Sequence, residues 1–136
     1  NGTVRMIRAL DTNIIVDLLR GKDAALAACY LEGRPADYVV PEMVRAELLL
    51  GANLSSRASE NRKAAGKFLA PLRLLPFGGE ACVHWAEIRA ALQKVGASIG
   101  PNDLVIAATA RALGCVLVTR NTREFARAPA LAVEEW

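Results

Sequence analysis

The stretch "IGPNDLVIAATARALG", residues 99–114, constrains the fold more than any other part of the chain. Pro101 and Gly114 punctuate it as a helix start and stop, and between Leu104 and Leu113 almost every residue is apolar or small. A helix apolar over most of its circumference has to be covered on more than one side. Yet it opens on Asp103, a carboxylate aimed at the edge of a core. Taken alone, that acid needs no more than the helix dipole, which favours negative charge in a first turn by a few tenths of a kcal/mol up to about 1.

The rest of the chain supplies the layers such a helix needs. "VRMIRAL" (4–10) reads as a buried strand ending at Asp11. "TNIIVDLLRG" is a helix closed by Gly21, and "DAALAACYLEG" a second helix capped by Asp23 and stopped at Gly33. "ADYVV" is a short strand ended by Pro41, which then takes the first position of a third helix, "PEMVRAELLLGA". "SSRASENRKAAGKFLAPL" is more polar and reads as a solvent-facing helix, followed by a short strand, "RLLPF". In "GEACVHWAEIRAALQKVG" the residues Cys82, Trp85, Ile88, Ala91, Leu92 and Val95 fall at helical spacing and predict a buried face. "CVLVTRN" is the clearest strand signal, "TREFAR" a turn or short helix, and "LAVEEW" a last strand. Short apolar strands alternating with helices mean an α/β fold with a mostly parallel sheet. Sheets of that kind carry their sites beyond the strands' carboxyl ends, near a topological switch point.

At 136 residues, without repeats, low-complexity segments or long linkers, the chain is expected to form one domain over residues 1–136, with 1–5 an addition ahead of a native start at Met6. No apolar run approaches the roughly 18 residues of a membrane span, so no membrane role is expected. No basic flank, apolar core and cleavage site occur in order at the N-terminus, so no secretory signal is read there. Cys29, Cys82 and Cys115 form no C-x-x-C pair, which argues against a zinc site or disulfide framework and for a reducing cytoplasm. A net charge of +3 admits an anionic partner without establishing one.

Four acids stand apart from the rest. Asp11 closes the first strand, where it can also cap the following helix. Glu47 interrupts an apolar helix face next to Leu48, Leu49 and Leu50, either paired with Arg45 or a neighbouring helix, or functional. Asp103 opens the buried helix, and Glu124 lies one short turn after Asn121, which follows "VLVT" at another strand's end. Asp23, Glu32, Glu60, Glu134 and Glu135 sit in polar company and read as caps or solvated faces. Carboxylates gathered at one edge repel and raise each other's pKa; a divalent cation relieves that. An all-oxygen set without His or Cys points to Mg²⁺ or Mn²⁺ rather than Zn²⁺.

"LDTNIIVDLL", "VRAELLLGA", "IGPNDLVIAATARALG" and "LVTRNTREF" with a closing "EEW" resemble, in order and spacing, the motifs of PIN-domain ribonucleases, and more narrowly the VapC-type toxins of bacterial toxin–antitoxin pairs. The likeness runs through the whole chain from Met6. It implies a three-layer α/β/α, Rossmann-like PIN domain with a mostly parallel central sheet. It also implies a Mg²⁺- or Mn²⁺-dependent endoribonuclease acting on structured RNA, transfer RNA or ribosomal RNA, that is homodimeric and inhibited by a cognate VapB-type antitoxin. Asp11, Glu47 and Asp103 match the family's first-strand, helix and buried-helix acids. The departure is Asn121, where many members carry Asp; Glu124 is the acid that would compensate.

The expected catalytic set is therefore Asp11, Glu47, Asp103 and Glu124, with Asp11 and Asp103 as metal ligands and Glu47 orienting or deprotonating the attacking water. Asn13, Thr119 and Asn121 would support the carboxylates from behind. Arg45, Arg111, Arg120 and Arg123 are candidate phosphate contacts near the same edge, whereas the cations of "RASENRKAAGK" read as a solvated face. Aromatics suited to stacking are scarce, so selectivity would come from RNA shape. His84 is the sole histidine, which excludes a His-pair ribonuclease. A haloacid-dehalogenase-type phosphatase lacks its second acid in Asp11-Thr12-Asn13, and a receiver domain lacks its late lysine. The remaining alternative is a catalytically degenerate PIN-like domain that binds RNA or antitoxin without cutting.

Overall fold

The computed structural model describes residues 6–136, so the expectations for residues 1–5, including the first two positions of the strand read over 4–10, lie outside the described residues. Five strands, β1 (Arg8–Leu10), β2 (Tyr38–Pro41), β3 (Arg73–Leu75), β4 (Val116–Val118) and β5 (Val133–Glu134), form one sheet in the order β3-β2-β1-β4-β5. Every pairing is parallel, with Leu10 opposite Val118 and Pro41 opposite Leu75. The chain runs outward through β1, β2 and β3, then returns to lay β4 on the other side of β1. The β1/β4 boundary is thus the switch point, and a crevice opens beyond the carboxyl ends of those strands.

Among the described residues seven helices connect and cover the strands: α1 (Thr12–Arg20), α2 (Ala24–Glu32), α3 (Glu42–Leu54), α4 (Ala58–Leu69), α5 (Glu80–Lys94), α6 (Pro101–Leu113) and α7 (Thr122–Phe125). α1, α3 and α4 pack on one another, α5 packs along α6, and α6 lies on β2 and β4, giving the expected α/β/α sandwich. α6 buries Leu104, Ile106, Ala107, Ala108, Thr109 and Ala110, which accounts for its apolar circumference. Thr109 tolerates this because its hydroxyl donates to the carbonyl of Val105 at 2.7 Å. Asp23 caps α2 by accepting from the Leu26 N–H at 3.0 Å, and Gly21 and Gly114 close α1 and α6 in the left-handed conformation. Among the described residues, no helix is long and apolar enough to cross a membrane.

Several elements differ from expectation. Pro41 ends β2 and precedes α3 instead of occupying its first turn. Ala36 and Asp37 belong to a 3-10 turn (Pro35–Asp37), so β2 starts only at Tyr38. "RLLPF" pairs only as far as Leu75 because Pro76 has no N–H to donate. "LAVEEW" pairs over just Val133 and Glu134 at the sheet edge. α5 buries Ala81, Ile88 and Leu92, whereas Cys82 and Val95 are exposed: periodicity alone does not register which edge of an apolar stripe a neighbour covers. Tyr30 and Tyr38 stack with centroids 4.7 Å apart, and both pack on the core rather than offering free faces for bases.

Candidate active site at the sheet switch point

Asp11 is the first residue past β1 and the cap of α1, so the same position serves backbone and site. Its Oδ1 accepts the Thr12 N–H at 2.8 Å and its Oδ2 the Thr119 hydroxyl at 2.6 Å. Its own N–H donates to the Val118 carbonyl at 3.0 Å, continuing the β1/β4 ladder. The residue is only 4% exposed. Burial pushes its carboxyl above the usual range, the two hydrogen bonds pull it back, and the charges of Glu47 and Glu124 push it up again.

Glu47 projects from α3. Its Oε1 accepts the Thr12 hydroxyl at 2.6 Å and its Oε2 the Asn102 amide at 3.4 Å, while Arg45 pairs with Glu42 instead. Thr12 thus ties the glutamate of α3 to the start of α1. Asp103 stands in the first turn of α6, half-buried. Burial, then the charges of Asp11 and Glu124, raise its pKa to about 7. Glu124, on α7, is moved the opposite way: the Gly100 N–H at 2.8 Å and the Asn121 amide at 2.8 Å hold it below the usual carboxylate range. Asp103 and Glu124 are hydrogen-bonded to each other. A protonated Asp103 donating to an ionised Glu124 accounts for both directions.

Asn121 follows Thr119, whose hydroxyl accepts the Asn121 N–H at 2.9 Å while donating to Asp11. Asn13 does not bond a carboxylate; its Oδ1 accepts the Arg120 N–H at 3.3 Å, pinning the turn after β4 to α1. Asp11, Glu47 and Asp103, with Thr12, Asn13, Asn121 and Arg20, line one cleft of about 400 Å³. Glu124 stands beside it, reached through Asp103 and Asn121. Four acids from four elements therefore gather at the switch point, and none is ion-paired among the described residues.

The arginines fare differently. Arg111 lies about 12 Å along α6 from Asp103, at 1.5 Å per residue, and pairs with Glu87 of α5; it is not at this edge. Arg120 is at the edge but engaged, 2.7 Å from Asp23 and 3.5 Å from Asp17. Thr12 and Arg20 line the cleft, and Asn102 reaches it through Glu47; none of the three was singled out by sequence. Thr12 and Asn102 flank the acids Asp11 and Asp103, and that adjacency is the one signal that marks them.

The donor set is all oxygen and carries repulsion that a proton on Asp103 relieves, which is the chemistry a hard divalent cation satisfies. Among the described residues, no three acidic, His or Cys side chains close into a ready-made metal shell. Mg²⁺ does not demand one: it keeps several waters and takes one or two carboxylates plus a substrate phosphate. Asp11 and Asp103 can provide those two, and both would have to be ionised to do so.

A family model described as PIN domain matches residues 8–131. Ribonuclease VapC2 of Rickettsia felis is 34% identical over 132 residues, 96% of this chain and 98% of that protein. The tRNA(fMet)-specific endonuclease VapC of Shigella flexneri is 32% identical over 127 residues, 93% of this chain and 96% of that protein. Among solved structures, the DNA-bound VapBC of Salmonella typhimurium superposes with a TM-score of 0.90 at 30% identity, covering 96% of this chain and 98% of that one.

Proposed function

The chain belongs to the PIN-domain family, within its VapC group, and on that premise we propose that it is a metal-dependent endoribonuclease toxin cleaving structured RNA, transfer RNA first, in the cytoplasm. One observation carries the chemistry: four carboxylates held at the switch point, none of them ion-paired among the described residues, with Asp103 raised to about 7. Such a set costs stability unless it serves to bind positive charge. The Shigella relative's name, a transfer-RNA-specific endonuclease, supports the substrate class.

In this reading Asp11 and Asp103 would hold the cation, Mg²⁺ or Mn²⁺, with a further negative charge at Glu124 rather than at position 121. Asn121 contributes an amide that orients Glu124 instead of a fifth carboxylate. When bound, the cation supplies Lewis acidity to the scissile phosphate and its attacking water. Glu47 is free of metal duty: clamped through Oε1 by Thr12, it offers Oε2 to orient and deprotonate that water. The Thr119 hydroxyl favours the ionised form of Asp11 against its burial and fixes its rotamer.

We further propose a homodimer restrained by a VapB-type antitoxin. An apolar groove of about 510 Å³ lined by Val16, Leu19, Leu48, Ala52 and Ala65 adjoins the acid cleft through Glu47, which supports seating of a peptide beside the carboxylates.

The test is cleavage of total transfer RNA by purified, antitoxin-free protein with Mg²⁺, Mn²⁺ or EDTA, beside Asp11→Asn and Asp103→Asn. Discrete fragments that need metal and vanish in both variants support the nuclease. Folded protein that binds transfer and ribosomal RNA yet cuts neither favours the degenerate-domain alternative, for which Asn121 is the observation.

A further inference from the structure

A cleft lined by acids repels the phosphate backbone it must admit. A cation bound at the carboxylates deals with the scissile phosphate; the neighbouring phosphates still approach Asp17, Glu47 and their companions. Among the described residues, Arg20 is the one basic side chain lining this cleft. It belongs to the last turn of α1, where a cation is favoured by the helix dipole, and that alone explains its presence on the helix. It does not explain where the side chain goes. Helical side chains lean toward the helix N-terminus, and Asn13, Val16, Asp17 and Arg20 form one stripe of α1 turned to the cleft. Arg20 therefore stands at the α1 end of the cleft, on the border it shares with the apolar groove.

Its guanidinium is also uncommitted. Among the described residues it makes no ion pair and no hydrogen bond, whereas Arg120, its neighbour at the rim, is bound to Asp17 and Asp23. Asp17, three residues before Arg20 and the obvious partner for it, is taken by Arg120. An exposed guanidinium left unpaired beside four carboxylates is available to a ligand with an anion of its own.

We propose that Arg20 holds a backbone phosphate of the RNA next along from the scissile one, an inference that rests on the ribonuclease reading above. A planar guanidinium matches phosphate in a two-pronged geometry. Because this phosphate does not react, the contact is made equally in the ground and transition states, so it lowers KM and leaves kcat alone.

The experiment uses total transfer RNA as the probe, with binding measured in EDTA across a salt series and cleavage measured in Mg²⁺. Arg20→Gln is expected to raise KM about tenfold with kcat within about twofold of wild type. The slope of log affinity against log salt should fall in magnitude by about 0.7 to 0.9, the value for one phosphate contact. Arg20→Lys keeps most of that slope. Arg89→Gln, which removes an exposed cation of α5 outside the cleft, leaves KM and slope unchanged. Arg20→Gln with wild-type KM and slope overturns the proposal. Wild type that binds transfer RNA without cutting it would sink the nuclease reading, while the slope of Arg20→Gln still decides the arginine. Wild type that does not bind would sink both.

Discussion

The Thr119 hydroxyl donates to Asp11 Oδ2 at 2.6 Å, bridging the carboxyl ends of β4 and β1 where the sheet reverses its strand order. Thr119 is fully buried and Asp11 nearly so, so this bond has no water to replace it. Thr119→Val conserves the shape, removes the donor and leaves a buried carboxylate oxygen unsatisfied, at a cost of about 1–3 kcal/mol. The variant should lose that much in urea unfolding at pH 8, and Asp11 should titrate higher. Thr119→Ser should restore most of both. Wild-type stability in Thr119→Val would show that the bond is idle.

Asp11→Asn separates charge from shape. The amide can still accept from the Thr12 N–H, although its other end, an NH₂, requires the Thr119 hydroxyl to turn and accept. It no longer meets the repulsion of Glu47 and Glu124 that raises the native carboxyl. Stability should therefore change by less than about 1 kcal/mol, in contrast to a buried pair losing one partner. RNA cleavage should be abolished, because a ligand charge has gone. Unfolding midpoints and cleavage assays on the same preparation check both halves; a variant that still cuts would remove Asp11 from the metal site.

How much of this was legible follows from what a linear pattern can carry. Asp11 and Asn121 follow apolar runs of strand type, and strand ends in a parallel sheet converge by topology. Asp103 announces itself as a charge at the mouth of an apolar helix. The α/β/α architecture was readable for the same reasons. What was not readable depends on rotation and reach. The hydrogen bond from Thr12 to Glu47 joins residues 35 positions apart on two helices whose relative rotation has no linear signature. Arg111 shares α6 with Asp103, but helix rise carries it to the far end. Arg20 was hidden by its distance in sequence from Asp11, although both line the same cleft. The link from Glu124 to Gly100 runs through a backbone N–H, and no residue type marks it.

Thr12→Val tests the clamp on Glu47. Without the hydroxyl at 2.6 Å, Glu47 keeps only the 3.4 Å contact from Asn102 and gains rotamer freedom. Losing orientation of a general base should lower kcat roughly 10- to 100-fold, below the full 10²–10⁴ range associated with the base itself. KM should change little, since the Thr12 hydroxyl is spent on Glu47. Glu47→Gln should cost more, and the double variant no more than Glu47→Gln alone. Additive losses would mean that Thr12 acts elsewhere.

The raised pKa of Asp103 fixes a pH dependence whose sign is unusual for an acid. The unfolded aspartate titrates near 3.9 and the folded one at about 7, so between those values the folded state holds the extra proton. Stability of the metal-free protein should then fall as pH rises from about 4 to 7 and level off above. Asp11, also raised, adds to the same trend. Glu124, lowered, acts only in the acid range below its unfolded pKa and opposes nothing above pH 5. Urea midpoints in EDTA should drop between pH 5 and pH 8, Asp103→Asn should remove most of the drop, and saturating Mg²⁺ should offset it. A midpoint that climbs over this interval would contradict the assignment.

Asn121→Asp addresses the position where the resemblance to the family's acids breaks. In the native site the Asn121 amide donates to Glu124 Oε2 at 2.8 Å and so helps keep that carboxylate ionised beside Asp103. An aspartate there withdraws the donor and adds a like charge, so in EDTA the protein should lose stability, by about 0.5–1.5 kcal/mol for a hydrogen bond lost at a part-exposed carboxylate. The same added charge should tighten divalent binding. Stability therefore falls without metal and recovers with it, a crossing that a purely structural substitution would not produce. Calorimetric titration with Mn²⁺ alongside unfolding in EDTA reads both effects. Tighter metal binding with faster cleavage would show that Glu124 only partly replaces an acid at 121. Tighter binding with unchanged cleavage would show that Glu124 already suffices, and weaker binding would mean that position 121 faces away from the cation.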